Sequence, residues 1–147
     1  MIGWPFSPLL PVGSVAPDFA AVIDTGETIR STDLRGRSFV LIFYPGDDTP
    51  GCTKQLCDFR DNWAAAEKRG VAVFGVNPAD PSKHARFRGK FRLPFPLLAD
   101  IGRKIATRYH ANGLIIRRTV YLIGPDGLVR FARRGMPTPS EVLSFVN

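Results

Sequence analysis

Apolar and polar positions alternate along the chain in a way that separates strands from helices. Ser38 to Tyr44 (SFVLIFY) is an unbroken β-branched and aromatic run, the pattern of a strand buried on both faces. From Thr53 to Arg69 the apolar residues Leu56, Phe59, Trp63 and Ala66 recur at three- and four-residue steps, which predicts a helix. Gly70 suits the position just past its end, and Lys68 and Arg69 suit the negative end of the helix dipole. Val71 to Val76 reads as the next strand, so strand, helix and strand form a parallel βαβ unit. Farther on, Pro81 to Phe91 and Asp100 to His110 read as helices flanking the extended segment LPFPLLA, residues 93–99. Two strands, Thr119 to Ile123 and Leu128 to Ala132, enclose the turn signal Gly124-Pro125-Asp126-Gly127. Pro139 to Val146 reads as a closing helix, and a hairpin around Asp24-Thr25-Gly26 precedes the core. The expected architecture is α/β, with a mixed sheet flanked by helices.

With no internal repeat or linker, the 147 residues are expected to form a single domain, 1–147, with Pro-rich residues 1–12 as a candidate flexible N-terminal extension. A domain of about this size buries roughly 70% of its unfolded surface and folds without staples. The longest apolar run, Phe39 to Tyr44, is far shorter than the ~20 residues of a membrane-spanning helix. The N-terminus lacks a basic start and is broken by Pro5, Pro8 and Pro11, a poor signal peptide. The expectation is a soluble, cytoplasmic protein. The net charge of +7 is uneven: residues 82–134 hold 13 Lys or Arg against only Asp100 and Asp126. Such a basic half fits nucleic acid or a solvated arginine-rich face. No RNA-binding aromatic signature accompanies it, so the charge carries no function here.

Two cysteines are too few for a disulfide scaffold, and a close pair in a reducing compartment points to catalysis, redox sensing or metal binding. Zinc is set aside, because only His84 and His110 could complete four ligands and both lie far along the chain. His84 sits in a basic helix and His110 at a helix end, where a solvated or C-capping histidine is expected. Cys52 follows a buried strand and a tight Pro/Gly turn, in the first turn of the next helix. Thr49 fits the cap position and Pro50 the first helical position. Unpaired N–H groups and a partial positive charge at a helix start stabilise a thiolate, lowering its pKa below the free value of ~8.5. Cys52 is therefore expected to be partly ionised and accessible. Cys57 reads equally as a core residue or a functional one. If both are helical, about 7.5 Å of rise and roughly 140° of rotation separate them, so a bond between them requires the segment to unwind.

The run FYPGDDTPGCTKQLCDFRD contains P-x-x-x-T-x-x-C and resembles the peroxiredoxins, in particular the bacterioferritin-comigratory-protein (PrxQ) branch of the thiol-specific antioxidant family. The resemblance extends from Gly13-Ser-Val-Ala-Pro-Asp-Phe19 through Leu93-Pro-Phe-Pro-Leu-Leu-Ala-Asp100 to Arg118-Thr-Val-Tyr-Leu-Ile-Gly-Pro-Asp-Gly127. It implies a thioredoxin-like fold and a thiol-dependent peroxidase acting on hydrogen peroxide and organic hydroperoxides, without a bound cofactor or metal. Cys52 falls on the family's peroxidatic cysteine, Thr49 and Pro45 on its partners, Arg118 on its arginine, and Cys57 on the resolving cysteine. Thioredoxin or another dithiol would reduce the resulting disulfide, and the protein would be a monomer or homodimer. Gln55 departs from the branch, which commonly has Glu there. Arg117 competes with Arg118, but alternation puts the two on opposite faces of a strand. Phe43, Tyr44 and Phe95 are expected to line an apolar approach. A thioredoxin-like disulfide carrier without peroxidase activity is the alternative. Its Cys-x-x-Cys signature is missing, since the spacing here is Cys-x-x-x-x-Cys. A basic binding module with inert cysteines is a third reading.

Overall fold

The computed structural model describes residues 8–146. Seven strands form one mixed sheet: β1 (Ala20–Ile23), β2 (Thr28–Arg30), β3 (Phe39–Phe43), β4 (Ala72–Asn77), β5 (Leu97–Ala99), β6 (Thr119–Ile123) and β7 (Val129–Arg134). Their order is β2-β1-β5-β4-β3-β6-β7. The expected parallel unit is present, with β3 beside β4, while β6 runs antiparallel along the other side of β3. The hairpin expected around Asp24-Thr25-Gly26 is β1–β2. No helix among the described residues is long and apolar enough to cross a membrane.

Every residue of β3 is buried, because the strand sends side chains into two cores. Phe39, Leu41 and Phe43 join Phe19, Tyr109 and Tyr121 on one face of the sheet. Val40, Ile42 and Tyr44 join Cys52, Leu56, Phe59, Phe87 and Phe95 on the other. At about 25 cal/mol per Å² of apolar surface, full burial of each such large side chain stabilises the fold by about 1.5–3 kcal/mol.

The helices are α1 (Pro50–Asp61), α2 (Trp63–Lys68), α3 (Pro81–Phe91), α4 (Lys104–Arg108) and α5 (Pro139–Leu143). The helix expected over Thr53 to Arg69 thus starts earlier and is broken in two. At the break, Asn62 has φ −110° and ψ 18°, and its Nδ2 donates to the Asp58 carbonyl at 2.8 Å. A short amide side chain there competes with the backbone for a helical acceptor. The helix expected over Asp100 to His110 shrinks to α4, because Gly102 (φ 75°) and Arg103 (φ 58°) take left-handed conformations. The Asp100 carboxylate instead accepts from the N–H groups of Ile105 (2.8 Å) and Ala106 (2.9 Å), starting the helix late. Pro139 to Val146 likewise shortens to α5. Of residues 1–12, the first seven lie outside the described residues. Leu9 and Leu10 pack against the first core, and the Leu10 N–H donates to the Tyr121 hydroxyl at 3.1 Å.

Candidate active site

β3 delivers the chain to Pro45, a short turn follows, and α1 opens with Cys52 in its first turn. Arg118 stands just before the neighbouring strand, β6. Because Phe43 pairs with Thr119 in antiparallel register, the residue before Thr119 lies beside the start of the turn. The Arg118 guanidinium donates from Nη2 to the Cys52 Sγ at 3.2 Å and from Nη1 to the Gln55 Oε1 at 3.0 Å. Gln55 is itself held, its Nε2 donating to the Gly135 carbonyl at 3.3 Å. The amide at Gln55 therefore orients the arginine. Of the two candidates, Arg118 reaches the sulfur. The Arg117 backbone N–H donates to the Ala111 carbonyl and its own carbonyl accepts from Thr119 Oγ1.

The expected accessibility of Cys52 is corrected: its side chain is fully buried. The first turn of α1 rests on the sheet, so the thiol points into the second core rather than outward. Gly51 beside it leaves room for the arginine, since a Cβ there would stand 2.8 Å from Nη2.

Thr49 occupies the cap position with extended backbone, yet its hydroxyl caps nothing; it donates to the Gly46 carbonyl at 3.2 Å. Pro45 is half-buried at the start of the same turn. Cys52, Gln55 and Arg118 are thus joined by hydrogen bonds, with Pro45 and Thr49 on the turn that leads to them. Cys57 is half-buried against the second core, and burial pushes its thiol pKa up, opposed by nearby Arg60. Both cysteines are free thiols within α1.

Two further expectations are corrected. Phe43 faces the opposite core from Cys52, and Tyr44 and Phe95, though on its side, are fully buried and line no open approach. A strand buried on both faces has no polar residue to mark its sides. His84 is not solvated but fully buried, because α3 turns it inward with Phe87. Its Nδ1 lies 2.7 Å from Asp47 Oδ2 and its Nε2 3.0 Å from the Leu98 carbonyl. Asp47 Oδ1 also accepts from the Tyr44 hydroxyl (2.6 Å) and from Asn77 Nδ2 (2.9 Å). Burial alone would raise the Asp47 pKa, but hydrogen bonds from His84 and Tyr44 outweigh it and hold the carboxyl below its usual range. Burial, then the neighbouring Asp47, keeps the Tyr44 hydroxyl protonated well above the usual phenol range. A signal for His84 existed in the sequence: it stands three residues before Phe87 and seven before Phe91, on one helical stripe. His110, at the end of α4, places Nδ1 2.8 Å from the Pro8 carbonyl.

Residues 12–132 match the model of the AhpC/TSA family. Chloroplastic peroxiredoxin Q of Gentiana triflora is 39% identical over 133 residues, which cover 88% of this chain and 61% of the plant protein. Peroxiredoxin Bcp of Bacillus subtilis is 38% identical over 125 residues, covering 79% of this chain and 80% of that protein. The crystal structure of peroxidoxin BcpB from Mycobacterium tuberculosis superimposes with a TM-score of 0.84 at 28% identity, over 91% of this chain and 94% of that one. The fold is thioredoxin-like, as expected.

Proposed function

The chain belongs to the AhpC/TSA family, and from that premise we propose that it is a thiol-dependent peroxidase for hydrogen peroxide and organic hydroperoxides. The observation that carries this reading is the Arg118 guanidinium on the Cys52 sulfur at 3.2 Å, with Gln55 holding its other arm. An arginine is always charged and fork-shaped, so it stabilises both a thiolate and the charge that grows on a departing oxygen.

In the first step the Cys52 thiolate attacks one peroxide oxygen. An S–O bond forms, the O–O bond breaks, and the departing oxygen takes a proton to leave as water or an alcohol. Cys52 becomes a sulfenic acid. Thr49 would donate or accept a hydrogen bond to keep the peroxide in line, and Pro45 would shape the pocket without a competing donor. Cys57 then attacks the sulfenic sulfur; an S–S bond forms and water leaves. Both sulfurs sit on α1, so this step requires the helix to unwind. An external dithiol, thioredoxin or a similar protein, reduces the disulfide by exchange. The reading places the protein in the cytoplasm as a monomer or homodimer, with no cofactor, metal, membrane or nucleic acid in the cycle.

The test is to mix reduced protein with one equivalent of hydrogen peroxide, block free thiols at intervals, and map the cysteines by mass spectrometry. Rapid appearance of a Cys52–Cys57 disulfide is expected, and Cys52→Ser abolishes the reaction. Cys57→Ser reacts once and stalls as a sulfenic acid; full turnover of this variant with thioredoxin would remove the resolving role. Two thiols that persist at the rate of an ordinary free cysteine would remove the peroxidase reading altogether.

A further inference from the structure

The buried histidine below the site turn has only acceptors within reach. The His84 ring is fully buried, and the Asp47 side chain that meets its Nδ1 is 1% exposed. On the far side, Nε2 meets the Leu98 backbone carbonyl at 3.0 Å. A carbonyl has no proton to give, and the Asp47 carboxylate already accepts from Tyr44 and Asn77. The ring thus bridges two acceptors inside the protein, the Asp47 carboxylate and the Leu98 carbonyl.

A buried polar pair whose groups are hydrogen-bonded holds its neighbours in a defined arrangement. Here that arrangement is the geometry of the turn. In the segment 45–49 only Asp47 is buried, Pro45 and Gly46 being half-buried and Asp48 and Thr49 exposed. Asp48 is left-handed at φ 59°, an unfavourable conformation that the turn keeps only if its neighbours hold it. Asp47 is thus the interior anchor of the turn, midway between Pro45 and Thr49, and His84 holds that anchor from α3. Tyr44, bonded to the same carboxylate, shares the second core with Cys52.

We propose that His84 is a positioning residue for the peroxide step: buried and hydrogen-bonded, it fixes Asp47, and through Asp47 it sets where Pro45 and Thr49 stand around the Cys52 sulfur. Loss of the contact between His84 and Asp47 releases the turn and slows attack on the peroxide. This inference rests on the peroxidase reading. The ionisable groups on the packed elements are Tyr44 and Asp47 just past β3, Asp24 just past β1 and paired with Arg88 at 3.0 Å, and Asp100 just past β5. On α3 itself they are Lys83, Arg86, Arg88 and Lys90, with Asp80 at its cap. Asn77 from β4 and the Leu98 carbonyl are neutral.

Variants test it, with the rate constant of the reduced protein with hydrogen peroxide followed by stopped flow and circular dichroism checking the fold. His84→Asn keeps an amide near the Nδ1 position for Asp47, so it is expected to react within a few-fold of the wild type. His84→Gln reaches toward Leu98 and abandons Asp47, and it is expected to react about 10- to 100-fold more slowly, the scale of a misplaced reacting geometry. Equal rates for the wild type and both variants would overturn the proposal, and so would a folded His84→Asn as slow as His84→Gln. Asp47→Asn weakens the same contact from the turn and is expected to slow the reaction by a similar factor; a wild-type rate there would also overturn it. A wild type inert to peroxide would instead defeat the functional reading.

Discussion

The dipeptide Thr-Pro opens two helices in this protein, and the two threonines do different things. At α5, Thr138 accepts a hydrogen bond from the Glu141 N–H at 3.1 Å, satisfying a donor that the helix leaves unpaired. Asp80-Pro81 does the same for α3, its carboxylate accepting from the Lys83 N–H at 2.8 Å. At α1, Thr49 has similar extended backbone but turns its hydroxyl back to Gly46, and no side chain caps the helix. That uncapped start is where Cys52 and Arg118 meet. The same residue pair specifies where a helix begins. Whether its side chain closes the start or leaves it open is decided by the turn before it.

The largest break in the comparison is expected from Arg118→Ala. Removing the donor at the open start should lower the peroxide rate about 10²- to 10³-fold, the range for losing one positioned charge-stabilising donor. Stopped-flow kinetics measures this, with circular dichroism to show the fold retained. The threonine pair itself comes next. Thr49→Val should slow the peroxide step about 10-fold, the scale of one lost hydrogen bond, with little change in the urea midpoint. Thr138→Val should cost about 1 kcal/mol of stability and leave the rate alone. Equal effects of the two on rate and stability would erase the distinction. A smaller loss, about 5-fold, is expected for Gly51→Ala, whose new Cβ displaces the tip of Arg118 and misaligns it. The smallest effect concerns the other thiol of α1. In Cys52→Ser, labelling of Cys57 by iodoacetamide should rise with pH later than for a free cysteine of pKa ~8.5, because burial keeps the proton on the sulfur. A midpoint at or below the free value would contradict the half-buried placement.

Much of this was legible in the chain. α3 spans Pro81–Phe91 and β6 spans Thr119–Ile123, as periodicity and composition predict. Arg117 and Arg118 both lie just before β6, so strand alternation does not apply to them, although Arg118 is the one that reaches Cys52. The motif around Cys52 identified the family. What escaped was set by side-chain hydrogen bonds and by burial on two faces. The break at Asn62 depends on one amide reaching one carbonyl, which apolar periodicity does not register. In β3 every position is apolar, so nothing in the run says which core Phe43 enters. His84 was hidden by the basic composition of α3, although its stripe with Phe87 was there to be read. The burial of Cys52 followed from the docking of α1 on the sheet, a tertiary fact invisible to a local reading of a helix start.

The interruption at Asn62 limits how far a structural disturbance travels along the chain. Helix melting is cooperative and spreads through consecutive hydrogen bonds until something ends the run. In the proposed cycle, joining Cys52 to Cys57 disrupts α1, but the next segment has holdings of its own. Trp63 stacks near Phe95 with ring centres 6.0 Å apart, and Arg69 just past α2 donates to the Leu143 carbonyl at 2.6 Å. The melted stretch is therefore tethered at both ends, to the end of β3 and to α2. A short loop with tethered ends has few conformations to search, so once the disulfide is reduced the helix is expected to re-form quickly between those tethers.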